Sequence, residues 1–174
     1  MTEHRDGYAD FLDRTIANLE VIRNGADQGK PGHYEVTQMV NSLLGLTVFA
    51  KEAHLKALPE TKLCQSDFGS IVDVRLGDEQ YQTVQSLIKL MRHAVAHYNI
   101  HLDVAQGEII GLVMWNKPQR AKCENWVARI DAEDFEALTR AIHLTLKPVA
   151  VTAGRQDRLE AVERRLKKAF RHGD

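Results

Sequence analysis

The chain has 174 residues, 44% hydrophobic and 27% charged, which is the size and composition of one ordinary globular domain. About 70% of the unfolded surface can be buried at this length, so a core needs no disulfides. Lys plus Arg number 23 against 24 Asp plus Glu, a formal charge of −1, which excludes a polybasic protein coating nucleic acid by charge alone but leaves room for a local basic face.

The first predicted element is a helix from Asp6 to Asn24, with Tyr8, Phe11, Leu12, Ile16 and Leu19 at helical spacing. It should stop at Gly25, where Gly25 to His33 has the composition of a loop. A second helix is expected from Tyr34 to Leu58, ended by Pro59. Its middle, Leu43 to Phe49, is apolar almost all the way round. Such a helix is either central in a bundle or covered on its outer face by a second subunit, with Gly45 allowing close approach. Pro59 to Gly77 reads as a long ordered loop with one short helical turn. From Asp78 helical period returns, and Val84, Ile88, Met91, Val95 and Tyr98 mark one apolar arc.

After Asn99 the period becomes extended. Ile100 to Val104 and Glu108 to Trp115 form a hairpin around Gly107, and Asn125 to Ile130 is a third strand. Asp131 should cap a helix running to Pro148, and a last helix should span Gly154 to His172 with Leu159, Val162, Leu166 and Phe170 on one face. The expectation is therefore one mainly α domain over residues 1–174 with a small antiparallel β insertion.

No basic region followed by an apolar run opens the chain, so no secretory leader is expected. The longest apolar stretch, around Val40 to Ala50, is broken by Asn41, Ser42, Gly45 and Thr47 and is far short of a membrane span. Cys64 and Cys123 have no metal-type spacing; buried or idle thiols in a reducing cytoplasm are expected, with a disulfide as the alternative.

Chemistry concentrates in Arg92-His93-Ala94-Val95-Ala96-His97. At 100° per residue Arg92 falls at the edge of the apolar arc, while His93 and His97 share the polar side. Imidazole exchanges protons near neutrality, and guanidinium offers phosphate a charged planar fork. The combination suits cleavage of a phosphodiester by its neighbouring ribose hydroxyl, which needs no metal and no protein nucleophile and spares DNA. A solvated surface pair with no role is the plain alternative.

These residues resemble the Arg, four to six residues, His motif of the HEPN superfamily (higher eukaryote and prokaryote nucleotide-binding domains). His93, a polar residue directly after the arginine, matches the pattern of its ribonuclease members. The setting is also similar: an apolar helix with Asn41-Ser42-Leu43-Leu44-Gly45-Leu46, a loop, the motif near the end of a second helix, then a hairpin. The chain looks particularly like small stand-alone HEPN proteins of plasmids and defence genes, from about Tyr34 to Pro148, with both terminal helices as additions.

The resemblance implies a bundle that dimerises through the motif helices and joins two motifs into one ribonuclease site. Arg92 and His97 would be catalytic, with His93 orienting or stabilising. Relatives include toxins held by antitoxins and ribonuclease domains of CRISPR effectors, while others bind without cutting. In one subgroup a tyrosine two residues after the histidine is modified with nucleotide; here Asn99 stands there, and Tyr98 is one residue early and on the apolar arc, so that regulation is not expected.

His93, His97 and His101 recur every four residues, a spacing that can hold zinc, but no carboxylate completes the set and neither metal nor cofactor is expected. In the last helix Arg155, Arg158, Arg164, Arg165, Lys167, Lys168 and Arg171 outnumber Asp157, Glu160 and Glu163. Lys117, Arg120 and Lys122 cluster in the loop after the hairpin. Both groups are solvated surface or contacts to an RNA backbone, the latter with Arg164, Lys167 and Lys168 foremost. Trp115 and Trp126 are core residues or base-stacking platforms. The expected function is thus a metal-independent cytoplasmic endoribonuclease, a toxin or defence effector with an RNA substrate, a homodimeric state and a neutralising protein partner. The alternative is a HEPN-like dimer that binds a nucleotide, RNA or protein without cleavage.

Overall fold

The computed structural model describes residues 7–28, 35–77, 82–118 and 121–170, with side chains except at 26–27, 158 and 165–170. The helices are α1 (Gly7–Asp27), α2 (Glu35–Phe49), α3 (Glu52–Lys56), α4 (Phe68–Ile71), α5 (Val84–Ala96) and α6 (Phe135–Phe170). The strands β1 (Asp73–Gly77), β2 (Ile100–Ala105), β3 (Glu108–Asn116) and β4 (Trp126–Asp131) form one antiparallel sheet in the order β1-β4-β3-β2. The fold is a mainly α bundle carrying a small sheet.

α2 is the middle of the bundle and packs against α1, α5 and α6. Its neighbours in the same chain bury Met39, Val40, Leu43, Leu46 and Thr47 on one face, while Leu44 on the other side is half-buried. Val48 and Phe49 at its end stay exposed. Gly45 faces α1: a Cβ there would stand 3.4 Å from the Phe11 ring, and Phe11 lies 4.8 Å from Phe49 between ring centroids. Within the chain, the close approach that Gly45 permits is made by α1.

Several expected boundaries move. α1 continues through Gly25, which is buried, to Asp27; residues 29–34 lie outside the described residues. The helix expected from Tyr34 to Leu58 is two helices. Lys51 is extended (φ −69, ψ 155), and the His54 Nδ1 accepts its backbone N–H at 3.2 Å, so a side chain replaces the helical ladder at the break. The segment from Pro59 to Gly77 is more than a loop: it holds a 3-10 turn at Leu63–Gln65, α4 and β1. β1 pairs with β4 as an edge strand and is bulged between Val74 and Leu76.

The β2–β3 hairpin turns on Gln106 (φ 55) and Gly107 (φ 86), two positive φ values in succession as the native strand twist favours. One sheet face supplies Leu112, Met114, Trp126, Ala128 and Ile130 to the core. On the other face Asp103, Gly111 and Asp131 stand side by side on three strands. The Arg129 guanidinium lies over Gly111, where a Cβ would come within 3.0 Å of its Nη2, and pairs with Asp103 and with Asp131 (2.8 Å). The expected cap by Asp131 is therefore absent: its carboxylate is spent on Arg129, and a 3-10 turn at Ala132–Asp134 starts α6.

α6 is also longer than expected. Pro148 neither ends it nor separates a last helix at Gly154. Proline deprives the Leu144 carbonyl of its donor, but Leu144 and Pro148 are both on the exposed face, so no buried polar group is stranded by the lost bond. Arg23–Glu136 (2.9 Å), Arg140–Glu20 (3.4 Å) and the pairs of Asp13 with Lys147 (2.7 Å) and His143 (3.0 Å) bind α1 to α6. Cys64 and Cys123 are free thiols and both are exposed, not buried. Among the described residues no helix is long and apolar enough to cross a membrane.

Candidate functional site

α5 carries the motif, and its start is well defined. The Thr83 hydroxyl accepts the Ser86 N–H at 3.1 Å while the Ser86 hydroxyl accepts the Thr83 N–H at 3.1 Å, a reciprocal cap. Thr83 precedes the first helical residue, so α5 begins at Val84 and not at Asp78; residues 78–81 lie outside the described residues. Val84, Leu87, Ile88, Leu90, Met91 and Ala94 are buried, which fixes the rotation of the helix and hence the direction of every motif residue.

Arg92 is half-buried at the edge of this face. It lies near the start of α1, where its charge partly offsets the effect of burial on the Tyr8 hydroxyl. Burial pushes that hydroxyl well above the ordinary phenol range. Tyr8 donates to the Leu46 carbonyl at 3.0 Å and stacks on the buried His54, with centroids 4.7 Å apart and planes 8° apart. His93 and His97 lie on the solvent side, with ring centroids 4.2 Å apart and planes inclined by 50°.

The helix ends in a Schellman arrangement. The Asn99 N–H donates to the Ala94 carbonyl (2.8 Å) and the Tyr98 N–H to the Val95 carbonyl (3.1 Å). Tyr98 takes the left-handed conformation, φ 58, that this motif needs and that is usually given by glycine. Its side chain is 84% exposed, so it does not extend the apolar arc as the spacing suggested. The helix has already turned over by one residue. Asn99 then accepts the Trp115 N–H at 3.1 Å, which joins the end of α5 to the end of β3.

The pairing of charges separates these groups from their kind. Among the described residues, Arg14, Arg23, Arg75, Arg129 and Arg140 have carboxylate partners, whereas Arg92 and the exposed Arg155 and Arg164 of α6 have none, and of these three only Arg92 is half-buried. The other described histidines are also engaged: His54 by the Lys51 N–H, His101 near Asp103 (3.7 Å) and His143 by Asp13 (3.0 Å). His93 and His97 have each other and no carboxylate. An unneutralised guanidinium and two open imidazoles within two helical turns are suited to a phosphate and a proton.

The remaining candidates are dispersed. Lys117 and Lys122 are exposed in the loop after β3, and Lys117 follows Trp115 by two residues, which brings that loop to the end of α5. Arg120 lies outside the described residues. Arg164 is exposed on α6, about 15 Å of helix beyond Gly154, the last buried residue among the described side chains of α6; its Nε donates to the Glu160 carbonyl at 3.3 Å. The side chains of Lys167, Lys168, Leu166 and Phe170 lie outside the described residues. Leu159 and Val162 are exposed. Trp126 is fully buried and Trp115 half-buried, so Trp126 is a core residue. His101 is on β2, away from the helical spacing that suggested zinc, and no group of three or more His, Cys, Asp or Glu among the described residues can hold a metal.

Sequence reasoning passed over two features of this site. The exposure of Tyr98 follows from a left-handed cap, and the only local hint was Asn99, a residue that often ends helices. The missing carboxylate at Arg92 depends on all the other ion pairs and has no local signal.

The chain matches the HEPN pEK499 p136 family over residues 1–149, a span that begins before α1 and ends within α6. It belongs to that family and so to the HEPN superfamily. No curated protein and no solved structure gives a significant match. Membership supports a nuclease or nucleotide-binding role in general.

Proposed function

We propose that the chain is a metal-independent endoribonuclease of the cytoplasm, working as a homodimer in which two α5 helices bring their motifs to one cleft. The observation that carries this reading is the unpaired Arg92 on the same helix as the open His93–His97 pair. In the reaction the ribose 2′-hydroxyl attacks the adjacent phosphorus and the bond to the 5′-oxygen breaks. His97 is the proton-transfer group, taking the hydroxyl proton or supplying one to the leaving oxygen. Arg92 faces the charge that develops on the phosphorane, and His93 orients or stabilises. The products are a 2′,3′-cyclic phosphate and a 5′-hydroxyl. Lys117, Arg120, Lys122, Arg164, Lys167 and Lys168 are proposed contacts to the RNA backbone, and the biological role is that of a toxin or defence effector restrained by a protein partner.

The test is cleavage of single-stranded RNA by the purified chain in EDTA. His97→Ala and Arg92→Ala should each lower the rate by a factor on the order of 10² or more with the fold intact, and DNA of the same sequence should survive. Undiminished cutting by His97→Ala, or cutting only with a divalent metal, would overturn the mechanism. A second reading, a binding dimer without catalysis, draws on the inward position of Arg92 near Tyr8. It predicts RNA or nucleotide binding that His97→Ala leaves unchanged, with no cleavage by either protein.

A further inference from the structure

We propose that Tyr98 is a base-stacking residue, which holds a nucleobase of single-stranded RNA against its ring beside the phosphate addressed by Arg92 and His97. The proposal rests on the ribonuclease reading and adds to it the group that receives the base.

Three observations converge on this ring. At 84% exposure Tyr98 is the most solvent-exposed large hydrophobic side chain among the described residues, so neither packing nor a buried hydroxyl explains a tyrosine there. Its backbone is in the left-handed region, φ 58, at the helix-ending position that glycine fills without strain and asparagine tolerates. A bulky side chain is disfavoured at such a position, so the fold alone would select against tyrosine. The stem of the ring is also rigid: the Tyr98 and Asn99 N–H groups bond back into α5, and the Asn99 carbonyl is tied to β3 through Trp115. An aromatic ring mounted in this way loses little freedom when a flat partner covers it.

Its surroundings select the partner. His97 precedes it, His93 lies one turn back, and exposed Lys117 stands just beyond the strand residue that pairs with Asn99. A single aromatic surface among cations and imidazoles fits a base with its flanking phosphates. Its exposed neighbours in the chain, Ala96 and His97, include no large aliphatic side chain of the kind that borders an apolar protein contact. Stacking engages the π-face common to all bases, so this contact adds affinity without strong sequence preference.

The experiment measures binding of the full chain to a short 2′-O-methyl RNA, which cannot be cut, by fluorescence anisotropy, alongside thermal unfolding. Tyr98→Gly should bind about ten- to a hundredfold more weakly, the loss typical of one stacked base, while its melting temperature holds or rises because the strain is relieved. Tyr98→Asn should behave likewise, and Tyr98→Phe and Tyr98→Trp should bind as the parent does. On an oligonucleotide with abasic sites the difference between parent and Tyr98→Gly should vanish. Equal binding of Tyr98→Gly and parent to the intact RNA overturns the proposal, and so does loss of the dimer in Tyr98→Gly, which would make the ring a subunit contact. If Tyr98→Gly binds and cuts normally while His97→Ala stops cleavage, only the stacking assignment falls. If the parent binds no RNA, the ribonuclease reading falls and this proposal with it.

Discussion

Asp13 shows how a single residue joins two distant parts of the chain. Its carboxylate, on α1, takes Lys147 at 2.7 Å and His143 at 3.0 Å, both on α6. The hydrogen bonds from Lys147 and then His143 hold its pKa below the usual carboxylate range. A value lowered by folding means stability that is present above the unfolded pKa and lost as pH falls through the folded one. Because Asp13 and Lys147 are 41% and 43% exposed, the pair contributes at most about 1 kcal/mol. Asp13→Asn should therefore lower urea stability slightly at neutral pH and by progressively less below about pH 4. Parallel stability curves for the two proteins through that acid range would show that Asp13 carries none of the acid sensitivity.

At the scale of elements, α6 is continuous because its proline faces water. Pro148 is exposed, so its ring fills no core position, and the helix tolerates the missing N–H at a cost in stability. Pro148→Ala should restore a bond to the Leu144 carbonyl and raise stability by about 1–3 kcal/mol, or about 2–4 °C in melting temperature for each kcal/mol. An unchanged or lower melting temperature would mean that the ring makes contacts that alanine loses. α5 depends on a different device. Its reciprocal Thr83–Ser86 cap and its buried face set the motif's rotation, so the open imidazoles point outward because Met91 and Ala94 point inward.

For the whole molecule the main expectation is the dimer. The chain covers one face of α2 and leaves Val48 and Phe49 at its end exposed, and the proposed interface joins the α5 ends, where the open groups of the motif stand. An obligate homodimer buries more than about 2,000 Å² of surface in total. Light scattering should give twice the chain mass at micromolar concentration. Mixing Arg92→Ala with His97→Ala, each inactive alone, should recover part of the activity if one site takes its arginine and histidine from different copies. A monomer of full activity, or a mixture as inactive as its components, would remove the shared cleft from the mechanism.

Much of this was legible in the residues because periodicity is local. The apolar stripe of α5 placed Arg92 at the edge and His93 and His97 on the polar side, and Gln106-Gly107 between extended runs placed the hairpin. The alternation Val74-Arg75-Leu76 was also a strand signal, but five residues at a sheet edge have no meaning until β4 is there to pair with them. Tertiary contacts decided the rest. Pro148 stayed within a helix because packing on both sides of it outweighs one lost bond, and Asp131 left its cap because Arg129 is nearer to neutralising it. The left-handed turn at Tyr98 follows from β2 leaving the helix end towards β3. By itself the sequence determined the class of fold and the family motif, since these depend on residue type and spacing. Only the tertiary structure decided that the half-buried Arg92 has no carboxylate beside it among the described residues, because that depends on where the other charges come to rest.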